Sequence, residues 1–331
     1  MHPELVNIIE MYIQEFDLNQ VNLLFSCSID GFLLDPVSRP LNQGKKDLEY
    51  YKPIIDFCKK HNYGYHPMIA AENIENQIEN YNLWIEYLKT EYPDTCHLQL
   101  GHIMQLEVRD DVWTDEKIKH YLRWLNHLIN VDYDFFFQSN LNNFRGFVFN
   151  FEKSDEIAPN FGKSYVPYVT YKANPYPSCS LGSSIIIRLG DLSVIPCHRT
   201  CYEKFNFGKY IVEDGKITGL EANNIPLMNA TYYTGMFSKP KCDTCFWNLH
   251  CIKGCWGAQY EANGELFYPC ETVCNLEIAK IIFLYEKYKK MGLFEKGKYP
   301  HRMPPKTVEL YNKIEETEEY RKWKTFIQSI V

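Results

Sequence analysis

Residues 241–257 read KCDTCFWNLHCIKGCWG and set four cysteines in the pattern C-x2-C-x5-C-x3-C. Thiols this closely spaced are metal ligands or disulfide partners. Zinc takes four tetrahedral thiolates or imidazoles, commonly as two short-spaced pairs, so Cys242/Cys245 with Cys251/Cys255 can close one zinc knuckle. An iron–sulfur cubane also takes four thiolates, but its ligands usually combine a short-loop set with a cysteine from a distant segment. Disulfides need an oxidising compartment.

The surroundings supply the distant cysteines. Nine of the twelve cysteines fall in the second half: Cys179, Cys197, Cys201, Cys242, Cys245, Cys251, Cys255, Cys270 and Cys274. That number serves two clusters with one thiol to spare. Glycine or proline stands beside several of them, in GCWG and in LGDLSVIPCHR. There the backbone can approach closely and turn amides toward sulfur. Cys27, Cys58 and Cys96 stand apart and read as small buried hydrophobes.

The 331 residues are 45% hydrophobic and 15% aromatic, enough core for one large domain or two ordinary ones. A net charge of −7 argues against a nucleic-acid partner, whose phosphates are held by clustered Lys and Arg. The mean hydropathy of −0.37 and the lack of a long apolar run argue against a membrane span. The acidic, alternating N-terminus is not that of a signal peptide. A cytoplasmic chain with a small-molecule or peptide partner is expected.

The first 130 residues alternate helical and strand patterns. Leu5, Ile8, Ile9, Tyr12 and Ile13 recur at helical spacing and lead into VNLLFSCSID, a run of strand formers. A second helix over 46–62 runs into YGYHPMIA, and a third over 73–92 into CHLQLGHIMQLEVRD. A fourth starts after Thr114, whose hydroxyl can cap it. Strands joined by helices of this length predict parallel pairing in an α/β barrel or open sheet. Ligands then sit at the strand ends, near Ser28–Gly31, Met68–Glu72 and Glu107–Asp110. Glu72 and Glu107 read as solvated carboxylates there, and His66, His97 and His102 as core or rim residues.

Residues 131–178, aromatic and rich in Asn and Pro, read as a bridge with little regular structure. Short strands are expected at SSIIIRL, and a hairpin at KYIVEDGKITGL turning on Asp214-Gly215. Helices close the chain, one ending at Gly292 and one after Pro305.

The order CSLGSSIIIRLGDLSVIPCHR, FGKY, KCDTCFWNLHCIKGCWG, NGELFYPC resembles the SPASM auxiliary-cluster domain of radical S-adenosylmethionine enzymes. The α/β half resembles the same family's partial barrel, with FSCSIDGFLLDPVSRP similar to one of its strand-and-loop segments. The resemblance implies an α/β fold in four parts. These are a partial (β/α) barrel over 1–130, the bridge over 131–178, an iron–sulfur domain with short strands over 179–275, and C-terminal helices over 276–331.

It also implies two 4Fe–4S clusters. One set is Cys242, Cys245, Cys251 and Cys270. The other is Cys179, Cys197 and Cys255, completed by Cys201, by Cys274 or by an open site, since Ile185 stands where relatives that fully ligate it often carry a cysteine. Ser28, Asp30 and Arg39 match positions beside S-adenosylmethionine in the family. His198 stands where sulfatase-maturing relatives place an Asp, and it reads as a base, a donor to cluster sulfide or an exposed loop residue.

The family binds its catalytic cluster with C-x3-C-x2-C, and no such triplet precedes Cys179. The resemblance therefore implies the C-terminal two thirds of a maturase-like oxidoreductase. Such a chain makes no radical alone, and in full-length form uses S-adenosylmethionine, a peptide or protein substrate and an electron donor such as a flavodoxin or ferredoxin. A non-catalytic iron–sulfur protein and a zinc-stabilised binding module are the alternatives.

Overall fold

The computed structural model describes residues 5–18, 27–28, 48–61, 65–66, 68–92, 105–107, 113–131, 148–153, 165–170, 186–188, 190–234, 240–247, 251, 256–265, 268–290 and 313–331. Asp30, Arg39, Cys96, His97, His102, Cys179, Ile185 and Cys255 lie outside them. The chain divides into two compact units: Met1–Glu107 with Thr114–Asn140, and Val108–Trp113 with Leu141–Val331.

In the first unit, α1 (Val6–Leu18) turns its buried Ile13 inward while Leu5, Ile8 and Tyr12 of the predicted apolar stripe stay exposed. Glu10 ties it to α2 (Leu48–His61), accepting from Lys60 Nζ at 2.9 Å and lying 2.9 Å from His61 Nε2. Helix α2 buries Ile54, Ile55, Phe57 and Cys58, so Cys58 is the small core residue its isolation suggested.

Strand β1 (Cys27–Ser28) pairs in parallel with β2 (Tyr65–His66), with Ser28 opposite His66. β3 (Met68–Ala70) pairs in parallel with β4 (Gln105–Glu107), with Ala70 opposite Glu107. The chain leaves β3 through a turn that exposes Glu72 and buries Asn73, whose carbonyl accepts from Gln77 Nε2 at 2.9 Å. A short 3-10 turn (Ile74–Asn76) then opens α3 (Gln77–Glu91).

Helix α4 (Asp115–Val131) starts as its sequence predicts. Thr114 Oγ1 accepts from the Lys117 amide at 3.4 Å, and Asp115 and Glu116 place negative charge at the helix's positive end. Its apolar face buries Ile118, Tyr121, Leu122, Trp124 and Leu125, and Trp124 meets Tyr81 of α3 edge to face at 5.1 Å. His127 stacks on Trp124 with its Nε2 3.0 Å from Asn82 Oδ1.

In the second unit, the expectation of little regular structure over 131–178 needs correction. β5 (Val148–Lys153) and β6 (Tyr165–Thr170) pair antiparallel over six residues each. Their sequences, VFNFEK and YVPYVT, are mostly aromatic and β-branched. That local preference outweighs the Asn and Pro around them, and Pro167 is tolerated because a two-stranded sheet has only edge strands.

The second sheet has the order β10-β9-β8-β7 and is antiparallel throughout. It comprises β7 (Ile186–Ile187), β8 (Ser193–Ile195), β9 (Gly208–Glu213) and β10 (Lys216–Ala222). The β9–β10 hairpin turns at the expected Asp214-Gly215, both at positive φ (50° and 73°), the combination a tight two-residue turn requires. Helix α5 (Ile225–Thr234), the short α6 (Pro240–Asp243) and α7 (Trp256–Asn263) follow.

Helices α8 (Glu271–Lys290) and α9 (Glu318–Ile330) close the unit. Every residue of α8 from Leu276 to Lys287 is buried, and Tyr320, Trp323 and Ile327 form the buried face of α9. The polar groups caught inside are satisfied. Glu277 and Lys280 pair at 2.8 Å, and Glu286 accepts from Tyr320 Oη at 2.6 Å and from Gln328 Nε2 at 3.0 Å. Burial and the Glu286 carboxylate push the Tyr320 phenol well above its ordinary range.

Tyr320→Phe leaves buried Glu286 with one donor fewer and is expected to lower stability by about 1–3 kcal/mol in denaturant unfolding. A second expectation concerns acid. Burial lowers the His127 pKa below its ordinary value of 6.5, so the native chain binds this proton less tightly than the unfolded chain. The stabilisation is present above that value and lost as the pH falls through the lowered one. The unfolding midpoint should drop on mild acidification, and His127→Phe should remove that part of the drop.

Candidate metal centre

Of the nine cysteines among the described residues, Cys27 lies in β1 of the first unit and eight are free thiols: Cys58, Cys197, Cys201, Cys242, Cys245, Cys251, Cys270 and Cys274. Of these thiols, all but Cys58 belong to the second unit, where four short segments carry them. The first is a turn: Cys242 lies within α6 and its carbonyl accepts from the Cys245 amide at 3.1 Å. A C-x2-C pair in such a turn directs both sulfurs to one side. The second is the tight loop that follows, where the Cys251 amide donates to the Trp247 carbonyl at 2.9 Å.

The third segment is the start of α8. Cys270 precedes the helix and is buried, and its carbonyl accepts from the Cys274 amide at 3.2 Å, the first bond of the helix. Positions four apart lie on one helix face, about 5–6 Å between Cβ atoms. Burial pushes the Cys274 thiol up to about 11; Lys241 opposes this, while Cys242, Cys245 and Cys270 add to it. The C-x2-C turn and the start of α8 therefore lie within electrostatic reach of one another. An open depression of about 570 Å³ adjoins them, lined by Lys241, Asn263, Tyr268, Cys270 and Thr272 among others.

The fourth segment is Cys197-His-Arg-Thr-Cys201, wound into a 3-10 turn (His198–Thr200) after β8. The sulfur of Cys197 accepts from the Arg199 amide at 3.5 Å, and His198 Nδ1 stands 3.9 Å from it. An amide aimed at sulfur favours the thiolate. Cys201 is arranged the opposite way: its S–H donates to the His198 carbonyl at 2.9 Å. His198 itself is exposed.

The Cys197 turn packs on α7, which begins directly after Cys255 in the sequence. Arg199 pairs with Glu261, and Lys204 Nζ lies 4.0 Å above the Tyr260 ring, with Tyr202 and Phe205 edge-on to the same ring. A side chain at Gly257 would put its Cβ 2.5 Å from Arg199 Cβ and 3.2 Å from the Arg199 carbonyl oxygen. Only glycine permits this approach.

One buried donor tests whether the site suits a metal–sulfur group. Trp247, 2% exposed and between Cys245 and Cys251, has its indole Nε1 buried with no acceptor among the described residues. An unsatisfied buried N–H is rare, and a sulfur-rich group held by the neighbouring thiolates would supply its acceptor. The donor set of soft thiols fits zinc or an iron–sulfur cluster. Among the described residues, no three His, Cys, Asp or Glu side chains stand close enough to hold a metal ion as they are placed.

For the other predicted positions, Ser28 lies in β1 and Glu107 in β4, while Glu72 is exposed in the turn after β3. Sequence reasoning did not single out Trp247, for which an aromatic residue inside a cysteine loop was the available signal, and it read Gly257 only within GCWG, as a glycine that allows close backbone approach. Among the described residues, no helix is long and apolar enough to cross a membrane.

Gly257→Ala is expected to displace the Cys197 turn and to destabilise the second unit by about 1–3 kcal/mol, read in thermal unfolding. Comparisons with protein-family models, with curated proteins and with solved structures found no match for this chain.

Proposed function

We propose that the second unit is an iron–sulfur domain of the SPASM kind, holding two 4Fe–4S clusters, and that the chain is the substrate-facing portion of a cytoplasmic radical S-adenosylmethionine maturase acting on a peptide or protein. The observation that carries the reading is the buried Trp247 indole N–H, which lies in sequence between Cys245 and Cys251 and lacks an acceptor among the described residues. The amide directed at Cys197 sulfur supports a second thiolate set, with Cys179 and Cys255 as its sequence partners.

Clusters bound there would accept an electron from the substrate or anchor it. The chain's own part is narrower: thiolates would bind, and backbone amides and the buried Trp247 indole would donate to sulfur. Ser28 at the end of β1, with Asp30 and Arg39, is the proposed contact to S-adenosylmethionine in a full-length form. No C-x3-C-x2-C occurs in the sequence, so reductive cleavage of S-adenosylmethionine is not expected of this chain by itself. A flavodoxin or ferredoxin is the proposed electron partner.

Anaerobic reconstitution with iron and sulfide tests the reading. The expected result is a broad visible absorbance with about eight irons and eight sulfides per chain, four of each for one cubane. Stoichiometric zinc with no acid-labile sulfide would overturn it in favour of a zinc-stabilised module. Iron loading without binding of S-adenosylmethionine or peptide would favour a non-catalytic iron–sulfur protein.

A further inference from the structure

We propose that two copies of this chain associate through the apolar side of the β9–β10 hairpin, each packing it against the same side of the other. The proposal is independent of the metal-centre reading.

Strand register defines that side. Tyr210 stands opposite Leu220 and Val212 opposite Ile217, and cross-strand partners point to the same side of a sheet. Tyr210 and Val212, two apart, share it. Ile217 and Leu220 are three apart and in a regular strand would point to opposite sides. The register shift between Ile217 and Gly219 adds one residue, Thr218, and returns Leu220 to the side of Ile217. The other side takes Lys209 opposite Glu221, Ile211 opposite Gly219 and Glu213 opposite Lys216. One side of the hairpin is therefore uncharged and apolar, while on the other, residues of opposite charge stand across from each other.

The apolar side is open to solvent. Ile217 is 62% exposed, Leu220 47% and Val212 43%, with Tyr210 half-buried. Among the described residues β8 pairs with Gly208 and Lys209 alone, so the rest of the hairpin runs on beyond it as a two-stranded ribbon. A ribbon of two strands is marginal in water, and a sheet gains stability by burying its apolar side against a second layer.

Charge and geometry select that layer. From Gly208 to Ala222 the hairpin carries Lys209 and Lys216 against Glu213, Asp214 and Glu221, the wrong balance for an anionic lipid surface, which draws basic faces. Strand addition by an extended peptide needs an unbroken edge, and the Thr218 bulge interrupts β10, the outer strand of its sheet. A second copy fits. Two chains of net charge −7 repel one another, but this side brings no charged side chain to the contact. A two-fold axis makes the patch its own complement, and two ribbons can stack as sheet layers about 10 Å apart.

The test is the mass of the full chain in solution, purified anaerobically under reducing conditions so that no disulfide joins two copies. Sedimentation velocity should show a species of twice 39.2 kDa. Ile217→Asp and Leu220→Asp should each halve that mass, whereas Ile211→Asp, at an open apolar position on the charged side, should leave it unchanged. A second measurement needs no variant: lysine cross-linking in a mixture of isotope-labelled and unlabelled chains should join Lys209 or Lys216 of one copy to the same hairpin of the other. A chain of 39.2 kDa throughout overturns the proposal. So does a dimer that survives both Ile217→Asp and Leu220→Asp, one lost equally with Ile211→Asp, or cross-links between copies that all lie away from the hairpin.

Discussion

The burial of α8 is the constraint on which the cysteine-rich half depends. A helix with every residue from Leu276 to Lys287 inside cannot rotate or slide without opening the core, so its first turn is held in place by the rest of its length. Cys270 and Cys274 stand on that first turn. Burial also forces the helix to satisfy its own polar groups. Glu277 and Lys280 pair with one another, and Glu286 gathers Tyr320 and Gln328 from α9. These contacts add modest stability individually, yet removing one partner leaves a buried charge short of a donor.

The same rigidity creates an electrostatic demand at the thiol end. Thiols withdrawn from water resist ionisation, and each added thiolate repels the next. Cys274 shows both effects, with Lys241 the opposing charge. A divalent metal or a cluster would remove this repulsion and make ionisation favourable, which is the chemistry the proposed centre relies on. The two halves of the CHRTC turn obey the same chemistry in opposite senses. Cys197 receives an amide N–H, whereas Cys201 gives its own hydrogen to a carbonyl.

Much of the local structure was legible along the chain. Thr114 before an acidic turn marked the start of α4, and Asp214-Gly215 marked the β9–β10 hairpin, because capping and positive φ are properties of a few adjacent residues. The β5–β6 pair was missed because Asn and Pro in the neighbourhood masked two strand-forming runs whose partner lies more than ten residues away. The α1 stripe was seen, but periodicity shows only that a face is apolar, and Leu5, Ile8 and Tyr12 remain exposed.

The cysteine count, their spacing and the absence of a C-x3-C-x2-C triplet belong to the sequence alone. They supply the thiols on which the proposed metal binding rests, since no folding can create or remove a ligand type. Which thiols share a neighbourhood is a different matter. Spacing groups Cys251 with Cys242 and Cys245, and the fold sets the Cys274 amide against the Cys270 carbonyl at the start of α8. Gly257 and Trp247 acquire meaning in the same way, one through the close approach of Arg199 and the other through an indole N–H enclosed without an acceptor among the described residues. Such relations are fixed by packing, as that of α7 against the Cys197 turn shows.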